Sequence, residues 1–175
     1  MEEQTIHLPD PCLVVMIGAA GSGKSTLAAR LFAPNEILSS DELRAVVAGD
    51  ARDQRATRTA FAILHRQLGR RLAEGRTTVV DATSVTPFAR RGLLALARSH
   101  GIPAVAIVLG LDPRVMLARN AGRTDRVVPE IVVRRHLAEL ERSLRPGALE
   151  AEGFAAVHVL RTPAEVDALT VVREA

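Results

Sequence analysis

The chain has 175 residues, 47% hydrophobic and 25% charged, with a formal net charge of +3; this is material for one domain with a buried core and excludes a disordered chain. Its longest apolar run, Ile102 to Leu111, is broken by Pro103 and falls well short of the roughly 20 residues that a membrane-spanning helix needs. The one cysteine, Cys12, excludes an internal disulfide, and Met1 to Asp10 shows no basic start and no apolar core of a signal peptide, so a cytoplasmic location is expected.

In chain order, residues 1–11 read as an N-terminal tail, and Cys12 to Ile17 as a continuous apolar strand of the kind buried on both faces. A glycine-rich loop follows, then a helix from Lys24 to Phe32 ending before Pro34. Glu36 to Leu38 is a short second strand. Ser39 with Glu42 matches a capping box and opens a helix running to about Ala48. After a break at Gly49 to Arg52, Asp53 to Glu74 forms a long helix with Ala60, Ile63, Leu64, Leu68 and Leu72 on one face, stopped by Gly75. Thr77 to Asp81 is a third strand and Thr86-Pro87 opens the next helix, closed at His100-Gly101. Ala104 to Leu109 is the fourth strand, and Asp112-Pro113 starts a helix that becomes arginine-rich. Pro129 to Leu144 is a further helix, Ala156 to Leu160 a last strand, and Thr162-Pro163 opens a short terminal helix. Strands alternating with helices predict a three-layer α/β fold with a mainly parallel five-stranded sheet, in a single domain over residues 1–175 with a lid at about 115–145.

Gly18 to Ser25 reads Gly-Ala-Ala-Gly-Ser-Gly-Lys-Ser between a strand and a helix, which is the pattern of a P-loop. Its glycines, Gly18, Gly21 and Gly23, let backbone amides around Ser22 approach phosphate oxygens, and the helix that follows turns its positive end to the same anion. Lys24 is expected to reach the β and γ phosphates of ATP, Ser25 to bind Mg²⁺, and Thr26 to add a phosphate contact. Every basic side chain except Lys24 is arginine, which suggests that a compact ammonium is needed there and a planar guanidinium does not serve. Asp41, just past the second strand, should face the crevice at the strand ends, with Arg44 on the same helix face. A carboxylate to accept a hydroxyl proton beside a guanidinium to hold a phosphate is what a phosphate-accepting site needs; an acid serving the helix dipole is the simpler alternative. Arg119, Arg123 and Arg126, at i, i+4 and i+7, read as one side of a helical lid over transferring phosphates, or else as a solvated basic face. Asp81 ends the third strand and is a candidate for organising Mg²⁺, or a turn cap. Asp50, Asp53 and Gln54 would line the acceptor side or cap the long helix. His65, His100 and His136 read as helix-surface or terminal residues, with no metal-ligand spacing.

Together, Gly18 to Thr26, Leu38-Ser39-Ser40-Asp41 with Arg44, Asp50, Asp53-Gln54, Phe61 with Leu64-His65, Thr78 to Thr83, Arg119-Asn120, Arg123-Thr124-Asp125-Arg126 and Glu152-Gly153-Phe154 resemble the kinase module of bacterial polynucleotide kinase–phosphatase. The resemblance spans roughly Cys12 to Leu169. It implies transfer of the ATP γ-phosphate to the 5′-hydroxyl of an RNA or DNA end in nucleic-acid repair. Asp41 would be the general base, Arg44 a clamp on the acceptor's phosphate or the transferring group, and Arg119 and Arg123 lid arginines, with Arg126 beside them. The chain departs from the family at Ser84, where an asparagine is usual, and at Gly49 to Arg52, which replace an acid-rich stretch. Two other readings stand beside this one: a P-loop kinase of a small metabolite, nucleoside or sugar nucleotide, and a non-catalytic nucleotide-binding module. With no Trp or Tyr in the chain, a nucleic acid would be held mainly by arginine–phosphate contacts.

Overall fold

A computed structural model describes residues 4–48, 54–124 and 127–174. Five parallel strands form the central sheet: β2 (Leu13–Ile17), β3 (Ile37–Ser39), β4 (Thr78–Asp81), β5 (Ala104–Leu109) and β6 (Ala156–Leu160), in the order β3-β4-β2-β5-β6. Each connection crosses over through helix, as parallel pairing requires. These elements are α1 (Lys24–Leu31), α2 (Ser40–Ala48), α3 (Gln54–Ala73), α4 (Pro87–Ser99), α5 (Pro113–Ala121), α6 (Glu130–Ser143), α7 (Ala148–Glu152) and α8 (Pro163–Ala168). The caps expected from the sequence are present. Ser39 Oγ accepts from Glu42 N at 3.3 Å, Thr86 Oγ1 from Ala89 N at 3.2 Å, and Asp112 Oδ1 from Arg114 N at 2.7 Å.

Because successive side chains of a strand point to opposite faces, the sheet divides its apolar residues into two cores. Leu13, Val15 and Ile17 of β2 join Ala106 and Val108 of β5 against Leu64, Leu68 and Leu72 of α3 and Leu93, Leu94 and Ala97 of α4. Val14, Met16, Val105, Ile107 and Leu109 face the other way, against Leu27 and Ala28 of α1 and Met116 of α5. This is the three-layer arrangement. Leu64 and Leu68 are fully buried, and each stabilises the fold by about 2 kcal/mol.

The ends of the chain differ from the expectation. Residues 4–9 are not a tail: they form β1 (Gln4–Pro9), which pairs in parallel with β7 (Leu169–Glu174), a strand that follows the short terminal helix α8. Ile6 and Leu8 point inward to the second core while Thr5 and His7 are exposed, and Thr5 Oγ1 meets Thr170 Oγ1 at 2.9 Å. Arg30 of α1 ties this second sheet down, donating from Nη1 to Leu169 O at 2.9 Å and from Nη2 to Val166 O.

Among the described residues, one arginine is fully buried. Arg90 of α4 is fully buried and donates Nε to Glu152 Oε2 at 2.7 Å, Nη2 to Glu152 Oε1 at 2.6 Å and to Ser143 Oγ at 3.1 Å, and Nη1 to Ser84 O at 2.8 Å. It therefore joins α4, α6, α7 and the loop after β4, where Ser84 sits in the left-handed region at φ 48°. Arg90→Ala leaves Glu152, the Ser84 carbonyl and a cavity uncompensated, so it is expected to cost about 3 kcal/mol or more, read as a lowered urea midpoint.

Candidate active site

The sheet's carboxyl edge is where a doubly wound fold places ligands, and the chain from β2 turns there into the P-loop. Gly18 N donates to Thr83 O at 3.1 Å, anchoring the loop to the segment after β4, and Ser22 N donates to Ala19 O at 3.2 Å. Gly21 and Gly23 adopt φ of 82° and 94°, values that favour glycine. A side chain at Gly21 would also crowd α5, since a Cβ would lie 3.0 Å from Asn120 N. The Lys24 ammonium is folded into the loop, donating to Gly18 O and Ala19 O at 2.9 Å and to Ser22 Oγ at 3.3 Å. Burial pushes Lys24 down to about 8, the Asp81 carboxylate opposing the shift and Arg123 adding to it. At that value the half-buried amine stays largely charged at neutral pH.

The loop opens into a cavity of about 780 Å³. Ser25 and Thr26 line it from α1, Ser39 and Asp81 from the ends of β3 and β4, Asp41 and Arg44 from the first turns of α2, and Arg119 and Arg123 from the far side. Asp41 and Arg44 form an i, i+3 ion pair, the guanidinium the more buried partner at 16% exposure against 55% for the carboxylate. Arg119 Nη1 donates to Ser22 O at 3.3 Å, so α5 touches the P-loop backbone. Asn120 is buried beside it, donating from Nδ2 to Val128 O at 2.7 Å and accepting at Oδ1 from Val128 N at 3.1 Å. This two-point clasp closes the loop between α5 and α6.

The candidate residues Gly21, Gly23, Lys24, Ser25, Thr26, Asp41, Arg44, Asp81, Arg119 and Arg123 thus line one cavity, and Ser22 is buried within the loop beneath it. Three expectations need revision or lie elsewhere. The lid arginines do not share a helix face, because α5 ends at Ala121 with Gly122 as its cap and Arg123 follows in irregular chain. Arg126, with Asp50, Asp53 and the Gln54 side chain, lies outside the described residues. His136 is not a surface residue: it lines the cavity from α6, together with Val128 and Val132. Burial, with Lys24 and Arg135 adding to it, holds His136 toward its neutral form. In the sequence, its spacing of four from Val132, toward the partly buried end of the α6 stripe, was the available signal. A second cavity, about 530 Å³, lies at the amino ends of the strands and is lined by Asp10, Glu36, Arg76 and Arg173. There Arg173 pairs in two-pronged fashion with Glu36 at 2.6 and 2.8 Å.

No group of three or more His, Cys, Asp or Glu side chains able to hold a metal ion occurs among the described residues. Ser25 and Asp81 nonetheless line the same cavity, and both carry the hard oxygen donors suited to Mg²⁺, an ion that keeps waters and phosphate oxygens as its remaining ligands. No helix among the described residues is long and apolar enough to cross a membrane.

The model of the AAA domain family matches residues 13–146. No curated protein matches the chain. Among solved structures, the fold is similar to one in the Pnkp1/Rnl/Hen1 RNA repair complex, with a TM-score of 0.65 and 16% identity, covering 82% of this chain and 47% of that one. It is also similar to a sugar kinase from a Janibacter species (TM-score 0.59, 20% identity, 89% and 90% covered). A gluconokinase from Sinorhizobium meliloti gives a TM-score of 0.55 at 19% identity, with 91% and 87% covered. At these identities the likeness is one of fold, an α/β domain with a parallel sheet and a P-loop.

Proposed function

The chain belongs to the AAA domain family, and we propose that it is a P-loop phosphotransferase acting on the 5′-hydroxyl end of RNA or DNA. The observation that carries the reading is the meeting of Asp41 and Arg44 with Lys24, Arg119 and Arg123 around one cavity. A module that only senses nucleotide needs neither a candidate base nor a second set of cations. In the reaction, the acceptor hydroxyl oxygen forms a bond to the γ-phosphorus as the bond to the β–γ bridging oxygen breaks, ADP leaves, and the Asp41 carboxylate takes the hydroxyl proton. Lys24, Arg119 and Arg123 offset the charge that develops on the transferring oxygens. Ser25 and Asp81 would hold Mg²⁺, which neutralises charge on the β and γ oxygens when bound. Arg44 leaves Asp41 to grip an acceptor phosphate, which frees the carboxylate as base.

The polynucleotide acceptor is supported by the Ser39-Ser40-Asp41 run with Arg44 and by Arg119-Asn120 with Arg123-Thr124. A small-molecule kinase is the second reading, favoured by the near-complete mutual coverage with the sugar kinase and the gluconokinase, against less than half of the repair-complex chain. Salt separates the two. With saturating ATP, each arginine–phosphate contact to a single-stranded acceptor contributes about −0.7 to the slope of log affinity against log salt. The KM for a 5′-hydroxyl oligonucleotide is therefore expected to rise steadily with salt. A slope near zero with the oligonucleotide would count against the polynucleotide reading, and a neutral sugar turned over with no slope would favour the second. A reducing, cytoplasmic setting for the lone buried Cys12 belongs to the same proposal.

A further inference from the structure

Asn120 is buried but does not line the cavity, so contact with a substrate does not account for its polar side chain. Both sides of its amide turn to one residue: Nδ2 donates to Val128 O at 2.7 Å and Oδ1 accepts from Val128 N at 3.1 Å. A carboxamide carries a donor and an acceptor side by side, as pairing with one residue's backbone requires. Aspartate lacks the donor, and an aliphatic side chain lacks both. The pairing ties the end of α5 to the residue two before the start of α6.

Arg123 lies between the two clasped residues. Gly122 caps α5, so helix geometry no longer fixes Arg123, whose backbone N reaches Asn120 O at 3.3 Å. Its side chain nonetheless lines the cavity, and its charge is felt at Lys24. Arg119 differs, being on α5 itself with its own contact to Ser22 O. Asn120 also rests on the P-loop, since a Cβ at Gly21 would lie 3.0 Å from Asn120 N and 3.1 Å from its Cβ. The clasp thus joins the phosphate loop at one end to Val128, a cavity residue, at the other. A cation that meets developing charge acts only as well as it is placed beforehand, and a shift of about 1 Å costs on the order of 100-fold in rate.

We propose that Asn120 is a positioning residue, whose two bonds to Val128 hold the segment bearing Arg123 so that this guanidinium is in place for the transferring phosphate. The inference rests on γ-phosphate transfer at this cavity and holds for either class of acceptor. Asn120→Ala keeps the Cβ beside Gly21 and removes only the amide. It is expected to lower transfer of labelled γ-phosphate about 100-fold in the wild-type background and in Arg119→Ala. In Arg123→Ala it is expected to cause no further loss, because residues that act through one another are not additive. A merely structural clasp would take the same factor from all three backgrounds. Asn120→Asp keeps the volume and the acceptor and loses the donor, and a smaller loss with the same pattern is expected, which serves if the alanine variant does not fold. In the free protein, NMR relaxation of the Arg123 Nε–H, assigned by its loss in Arg123→Ala, is expected to show freer motion once the amide is removed, with Arg119 unchanged. An equal factor in the Arg123→Ala background, no loss in the wild-type background, or Arg123 motion indifferent to the amide would overturn the proposal. A wild-type chain that passes label to no oligonucleotide, small acceptor or water would overturn the transfer reading instead, and the Arg123 relaxation would then decide whether the clasp positions it.

Discussion

Replacing Lys24 by alanine is expected to lower γ-phosphate transfer by about 10³-fold, the scale of removing one preorganised group that meets developing charge, and to weaken ATP binding. The ammonium is already at the centre of the loop, held by the Gly18 and Ala19 carbonyls and Ser22 Oγ. On nucleotide binding it exchanges carbonyl partners for phosphate oxygens with little reorganisation. Lys24→Arg is not expected to rescue activity, because a planar five-donor fork does not fit the space between the Gly18 and Ala19 carbonyls. Thermal melts of both variants close to that of the wild type would assign the loss to the site rather than to folding. Transfer by Lys24→Ala within a few-fold of wild type would remove Lys24 from the mechanism.

Asp41→Ala is expected to reduce transfer by about 10² to 10⁴-fold, the range for losing a general base, while ATP affinity stays near wild type. The split follows from placement: Asp41 lines the cavity from α2, just past the end of β3, whereas the P-loop lies between β2 and α1. The carboxylate is half exposed, so its removal opens no core cavity, but it takes this ion pair from the more buried Arg44, and a thermal melt of the variant separates a folding loss from a catalytic one. Single-turnover transfer measured beside nucleotide binding reads both quantities. If the rate survives, or if ATP binding collapses with it, Asp41 is not the base.

The sheet and the P-loop were legible because their signals are local. A run such as Cys12 to Ile17 followed by Gly18 to Ser25 states strand, turn and helix within a few residues, and β5 and β6 have the bounds expected for them. The pairing of β1 with β7 was not legible in that way. Gln4 pairs with Leu169, and although Ile6 and Leu8 alternate with Thr5 and His7, four such residues without a nearby partner carry little weight against the reading of a tail. The short helix α7 was missed for a similar reason, being five residues long between two glycines.

Residue types pointed to side chains that line one cavity even where the assumed geometry failed. Arg119 and Arg123 both line the cavity although the chain leaves the helix between them. His136 escaped notice because periodicity on α6 separates core from solvent and has no third category for a wall facing a crevice. Arg90 escaped because in an arginine-rich chain nothing local marks the one guanidinium whose partners, Glu152, Ser143 and Ser84, lie on three other segments.

As proposed, this cavity moves a γ-phosphate from ATP to the 5′-hydroxyl of a nucleic-acid end. The most direct measurement offers γ-labelled ATP and Mg²⁺ with 5′-hydroxyl RNA and DNA oligonucleotides, the same oligonucleotides already 5′-phosphorylated, and a panel of nucleosides, sugars and gluconate. Label is expected on the 5′-hydroxyl oligonucleotides and none on the 5′-phosphorylated ones. Label on a sugar or nucleoside, with every oligonucleotide unlabelled, would contradict it.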